Sequence, residues 1–342
     1  MFSEDVVGVD GFLPDDNIYL DRFKKGEIGI VEAFKGLTAT DRKKNHSTKL
    51  KIVPDRENKK EITGEARNNL DNLLADLDYL VGLEHIKEII KEYIAFIQIQ
   101  KLREEYHLKS KHVVMHMVFK GNPGTGKTTV ARIIGKIFCE IGFLNKGDIV
   151  EVERADLVGE YIGHTAQKTK KMVNKARGGV LFVDEAYSLA RGGEKDFGKE
   201  AIDTLVKAME DYKDDLIIIL AGYRREMNKF LKTNPGLNSR FAIQLDFPDY
   251  TIDELVKIAE LMYREREYIL NKESKHYIYR VLTKIRSQEG INNGNARTVR
   301  NLIEKSIRHQ ASRIINSSNL NRNKLMYITR EDLAGEVMKI YD

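Results

Sequence analysis

The 342-residue chain has one cysteine, Cys139, and no internal repeat or low-complexity tract. It has no run of about 18 apolar residues, and its first residues, Met-Phe-Ser-Glu-Asp, lack the basic-then-apolar pattern of a secretory leader. A lone cysteine closes no internal disulfide, which suits a reducing compartment. Together these absences make the cytoplasm the expected location and exclude a membrane partner. Cys139 falls in the amphipathic stretch of Ile133, Ile134, Ile137, Phe138 and Ile141, so a buried structural thiol is expected rather than a nucleophile. The zinc patterns His-Glu-x-x-His and Cys-x-x-Cys are absent. His112 and His116 bracket a run of strand character and, at about 3.3 Å per residue, would sit roughly 13 Å apart, too far to share an ion.

The composition is that of a soluble globular protein, 42% hydrophobic and 32% charged. The net charge is +5, and residues 249–342 supply most of it with 17 Lys and Arg against 13 Asp and Glu. These charges alternate in sign, as in Arg264-Glu265-Arg266-Glu267, so a solvated helix face is the better reading than a nucleic-acid stripe. No nucleic-acid partner is expected.

Residues 1–70 carry few strong apolar periods, and the charged stretch 41–69 reads as a linker or loosely ordered segment. From about Asn72 the pattern turns helical. The middle third alternates apolar runs suited to buried strands (113–119, 149–152, 180–183, 216–221, 242–247) with helical segments such as 128–141, 165–176 and 200–211. Strands that are apolar throughout, alternating with helices, indicate an α/β fold with a parallel sheet covered on both faces. After Pro248 the pattern reads as helices only. The expected organisation is a divergent segment over 1–70, a nucleotide-binding α/β domain over 71–248 and a helical domain over 249–342.

Gly121-Asn122-Pro123-Gly124-Thr125-Gly126-Lys127-Thr128 matches the phosphate-binding pattern G-x-x-x-x-G-K-[ST] at every position, with a strand before it and a helix after it. The glycines let backbone N–H groups turn toward phosphates, and the following helix, opening at Lys127, Thr128 and Thr129, presents its positive end to the same anion. Lys127 would reach the terminal phosphates and Thr128 would hold Mg²⁺. Farther on, the apolar run 180–183 ends in Asp184-Glu185, which places an acidic pair at the carboxyl edge of a central strand, where such sheets bind ligands. Asp184 suits the hold on Mg²⁺, and Glu185 is placed to orient and polarise an attacking water.

Four further segments resemble the AAA+ ATPases. Leu80-Val81-Gly82-Leu83 is similar to their adenine-contacting segment. Asn234-Pro-Gly-Leu-Asn-Ser-Arg240-Phe241 is similar to their arginine-finger segment. Gly294-Asn-Ala-Arg297 resembles their sensor-2 motif, and Gly159-Glu-Tyr161-Ile162-Gly163 resembles the pore loop of protein-remodelling members. Residues 153–168 and 184–207 are most similar to the CbxX/CfqX branch. The resemblance covers the chain from about Leu74 onward. It implies a five-stranded parallel core with an all-helical lid, ATP and Mg²⁺ as cofactors, and catalytic roles for Glu185, Arg240 and Arg297. Where these proteins usually place Asn or Thr to position the lytic water, this chain departs with Ala221-Gly-Tyr223-Arg224, which puts Tyr223 in that register.

Bland alternatives stand beside these roles. For Arg240 the alternative is a local ion pair, although its loop suits reaching across an interface. For Arg297 it is a set of structural contacts only, yet a cation at a helix N-terminus opposes the dipole unless an anion partners it. For Tyr161 it is a packed core residue, whereas Gly159 and Gly163 suggest an exposed, moving loop. The resemblance implies a homo-oligomeric, hexameric ring that remodels a protein substrate through its pore, in spore maturation in the mother-cell cytoplasm. A red-type Rubisco activase, or less readily a nucleic-acid motor, is the alternative.

Overall fold

Every residue of β1 (Met117–Gly121), β3 (Val180–Val183) and β4 (Ile217–Gly222) is buried. Strands with no wet face belong inside a sheet covered on both sides. In the computed structural model they form its centre, flanked by β2 (Ile149–Val152) and β5 (Ile243–Phe247) in the order β2-β3-β4-β1-β5, with every neighbouring pair parallel. The described residues are 64–110, 114–161, 163–191, 196–289, 294–315 and 320–339.

The two-residue period of the strands divides the core into two layers. Met117, Phe119, Val180, Phe182, Ile217, Ile219 and Ala221 face α2 (Glu84–Glu105) and α3 (Lys127–Glu140). Val118, Leu181, Val183, Ile218 and Leu220 face α5 (His164–Ala176), α6 (Gly198–Asp211) and α7 (Arg224–Thr233). Two short helices complete the sheet region, α4 (Arg154–Leu157) and α8 (Pro235–Arg240).

Beyond Pro248 the chain is mostly helical, with α9 (Ile252–Glu265), α10 (Lys272–Glu289), α11 (Ala296–Ile314), α12 (Arg322–Met326) and α13 (Arg330–Lys339). A Thr251–Glu254 capping box starts α9: Glu254 N donates to Thr251 Oγ1 at 3.2 Å, and Thr251 N donates to Glu254 Oε2 at 2.7 Å. The helical region shares an apolar core with the sheet: Tyr250, Leu255, Ile258, Tyr263, Ile278 and Val299 join the same cluster as Phe119 and Phe247.

Three expectations need correction. The helical region also holds a two-residue parallel pairing, β6 (Ile269–Leu270) with β7 (Tyr327–Ile328), too short for periodicity to reveal. Residues 64–69, expected in the linker, lie in α1 (Gly64–Tyr79), whose later apolar residues Leu73, Leu74 and Leu77 pack on the α2 side of the core. The first strand begins at Met117, because His116 takes up part of the ladder with its side chain. Its Nδ1 accepts from Ile218 N at 3.0 Å, so Nε2 carries the proton and donates to Met209 O at 3.2 Å. His116 is thus a satisfied core histidine, and burial lowers its pKa to about 4. His112 lies outside the described residues. Cys139 is half-buried, and burial raises its pKa, with the carboxylates of Glu140 and Asp148 adding to the rise.

Candidate active site

The loop from Gly121 to Lys127 joins β1 to α3, so it emerges at the carboxyl edge of the sheet beside its central strand. Gly124 and Gly126 have φ of 73° and 94°, the left-handed region glycine enters without strain. A Cβ on Gly124 would collide with Gly294 O, so the loop closes against the start of α11 with no room for a side chain. Inside the loop, Thr125 Oγ1 donates to Asn122 O at 2.8 Å. Lys127 Nζ donates to Gly121 O at 2.9 Å and to Asn122 O at 2.8 Å, which folds its ammonium back over the loop. Thr128 is half-buried beside it and Thr129 is exposed.

Asp184 and Glu185 follow β3, whose Val183 pairs with Leu220 of β4. Asp184 Oδ1 accepts from Glu185 N at 2.9 Å. Glu185 sits in the left-handed region at φ 45°, and its side chain faces solvent. Such a conformation costs a non-glycine residue about 1–3 kcal/mol and collects at functional sites. Close by, burial pushes the Tyr187 hydroxyl up to about 12, with the Glu185 carboxylate adding to the rise. Tyr223 caps α7 immediately after β4 with its ring 6.0 Å from that of Tyr187, and Lys120 of β1 pairs in register with Gly222. Tyr223 therefore stands at the sheet edge, level with Gly121 where the loop begins.

Electrostatics point to an anion. Burial drives the Lys127 ammonium below its ordinary range, and the Arg297 guanidinium pushes the same way, against the pull of Asp184, Asp249 and Glu185. Arg297 is exposed on the first turn of α11, and among the described residues its side chain has no ion pair or hydrogen bond. Two cations crowded at a glycine loop and a helix N-terminus are relieved by a polyphosphate. Thr128 and Asp184 supply the oxygen donors a hard divalent cation prefers. The residues present therefore fit a Mg²⁺-bound nucleoside triphosphate.

Sequence reasoning missed the polar contacts beneath this loop. Asp249 accepts from Asn122 Nδ2 at 2.9 and 3.0 Å and from Asn295 Nδ2 at 2.8 Å. Tyr250 Oη donates to Thr125 O at 3.1 Å. Asp249 and Tyr250 belong to no pattern: the pairing of β5 with β1 brings them beside the loop, and the return of α11 adds Asn295. The turn holding Val81 and Gly82 sits nearby: Gly82 has φ 64°, Leu83 caps α2, and a Cβ on Gly126 would touch Leu83. Lys87 fixes this turn by donating to Leu80 O at 2.7 Å.

Two candidates lie apart from the loop within one chain. Arg240, at the end of α8, pairs with Glu210 at 2.7 Å and donates to Gly236 O at 3.4 Å. Tyr161 is 65% exposed, which removes the core-tyrosine alternative. Its loop follows α4 rather than β2 directly. The base of the loop is tied to α5 by Thr169 Oγ1 on Leu157 O at 3.0 Å and by Gly159 N on Thr165 Oγ1 at 3.0 Å. Gly163 has φ 80° with open space around it, while Ile162 lies outside the described residues.

Comparison with known proteins agrees with this geometry. Residues 117–249 match the family "ATPase family associated with various cellular activities (AAA)", and residues 251–339 match the AAA lid domain. Stage V sporulation protein K of Bacillus subtilis is 54% identical over 78% of this chain and 83% of its own length. The chloroplastic ribulose bisphosphate carboxylase/oxygenase activase of Cyanidioschyzon merolae is 42% identical over 78% of this chain and 92% of its own. Among solved structures, the Thermotoga maritima RuvB Holliday junction branch migration motor shares the fold, with a TM-score of 0.52 at 21% identity over 77% of this chain and 71% of that one. The chain belongs to the AAA+ ATPases, in the family of stage V sporulation protein K and the CbxX proteins, and its activity is ATP hydrolysis.

Proposed function

We propose that this ATPase works as a ring of identical subunits, a hexamer, that remodels a protein substrate through its central pore. The observation that carries this reading is the separation of the site's parts within one chain. Lys127, Thr128, Asp184, Glu185 and Arg297 gather at the glycine loop, while Arg240 points elsewhere and Tyr161 is held out in solvent. A neighbouring copy would bring its Arg240 to this nucleotide, and the Tyr161 loops of all copies would face a common axis.

ATP with Mg²⁺ supplies the transferable phosphoryl group when bound. Lys127 and Arg297 offset its negative charge, Thr128 and Asp184 hold the cation, and Val81 and Gly82 border the base. Glu185 orients and polarises the attacking water, and Tyr223 is the group at the sheet edge with a hydroxyl to hold it. Tyr161 with Ile162 grips an extended chain by apolar contact, and Gly163 lets that loop move.

The proposed setting is spore maturation in the cytoplasm, supported by the 54% identity to a sporulation protein. A pull-down from sporulating cells with a Glu185→Gln trap tests it: recovery of one substrate protein, released on adding wild-type enzyme and ATP, supports the reading. A trap that captures nothing while still binding ATP counts against it. The second reading, a Rubisco activase, rests on the 42% identity to a named activase. ATPase stimulation by a sugar bisphosphate favours that reading.

A further inference from the structure

The P-loop and the lid meet through a polar contact centred on Asn295. This residue is 1% exposed and adopts φ 47°, ψ −127°, a combination that glycine alone takes readily. Among the described residues its amide bonds to Asp249, Pro123 and Tyr250. Nδ2 donates to Asp249 Oδ1 at 2.8 Å and to Pro123 O at 3.4 Å, and Oδ1 accepts from Tyr250 N at 3.0 Å. The next residue continues the contact, with Ala296 N donating to Gly124 O at 3.1 Å. Asp249 in turn holds Asn122 through both carboxylate oxygens. All three residues of the loop's outer limb, Asn122, Pro123 and Gly124, are therefore bonded to the lid or to the hinge segment that leads into it. Arg297, two residues past Asn295, begins from this same anchor.

We infer that Asn295 and Asp249 form a latch that sets the register between the P-loop and Arg297, and that both are positioning residues for the nucleotide reaction. A strained backbone persists only where its surroundings over-determine it, and here the surroundings are the loop and the hinge. The strain turns the α11 start so that Ala296 N meets Gly124 O, and the amide locks the hinge residue Tyr250 to the same point. Movement of the outer limb of the loop is thereby transmitted to the start of α11, which carries Arg297. The inference rests on the P-loop being the nucleotide site.

Three variants test it with a fluorescent ATP analogue, Mg²⁺ and melting curves. Asn295→Gly relieves the strain and removes the amide, so the fold retains its melting temperature while affinity for the analogue falls about tenfold, the usual scale for losing buried polar partners. Asn295→Asp sets two carboxylates together and weakens binding further. The exchange Asn295→Asp with Asp249→Asn re-forms the pair, because the amide moved to position 249 donates to the carboxylate moved to position 295. It restores affinity to within about threefold of wild type. Wild-type affinity in Asn295→Gly overturns the latch, and so does an exchange variant that melts normally yet binds no better than Asn295→Asp. Lys127→Ala separates the two levels. If it binds as wild type does, the P-loop reading itself fails. If Lys127→Ala loses binding while Asn295→Gly keeps it, only the latch fails.

Discussion

Lys127 Nζ lies 2.9 Å from the carbonyl oxygen of Gly121, the residue that ends β1, so the ammonium bends back across the loop it terminates. Charge held there by two carbonyl oxygens, half out of water and beside Arg297, has more to gain from a phosphate than from its present partners. Lys127→Ala is expected to abolish ATP binding, whereas Glu185→Gln retains binding and loses turnover by orders of magnitude. Titration calorimetry checks the pair, and equal loss of affinity in both variants contradicts the roles.

The lowered pKa of Lys127 gives the binding a pH signature. Phosphate favours the charged ammonium, so affinity is full where Lys127 is protonated and falls as pH rises through its lowered pKa. The decline should begin at a lower pH than an ordinary lysine would give. Nucleotide titrations across the alkaline range, with Lys127→Arg as the non-titrating comparison, read it directly.

Arg240 is expected to act on the nucleotide of a neighbour. Arg240→Ala removes the Glu210 pair, which is partly exposed and worth little to the fold, so the variant melts normally. It should bind ATP yet hydrolyse it roughly 10³-fold more slowly. Mixing it with Lys127→Ala should recover some activity, because each supplies what the other lacks. A mixture that stays inactive at every ratio while forming mixed assemblies overturns the assignment.

Tyr161→Ala should change stability by no more than about 0.5 kcal/mol, since the side chain is 65% exposed. The expected loss is in substrate remodelling and in complementation of sporulation. A variant that still supports normal spore maturation removes the pore-loop role.

His116 predicts an acid weakness of the fold. Its pKa is lowered from 6.5 to about 4 by burial, so the neutral ring stabilises the native state fully above pH 6.5. That contribution, roughly 3 kcal/mol at about 1.4 kcal/mol per pKa unit, is lost as pH falls from about 6.5 toward 4. Denaturant titrations in this window should show the loss in wild type and lack that component in His116→Gln.

What the sequence determined by itself was whatever is local or periodic. The parallel core could be read because its strands are apolar throughout. The P-loop could be read because a phosphate cradle needs glycines and a lysine at fixed spacing within eight consecutive residues. Asp184 and Glu185 were found because the carboxyl edge of a buried strand is where such a sheet meets its ligand. The tertiary structure decided the contacts between distant segments. Asp249 carries no motif and meets Asn122 because β5 pairs with β1, while Asn295, inside a motif that points to Arg297, reaches Asp249 and Pro123 only because the start of α11 folds back onto a loop that precedes it by some 170 residues. Strand β1 begins later than its apolar run because His116 spends its side chain on the Ile218 backbone, and the β6–β7 pairing is too short to have a period. Exposure likewise had to come from packing. A tyrosine between glycines reads the same whether buried or free, and only the fold around the 158–163 loop leaves Tyr161 in water.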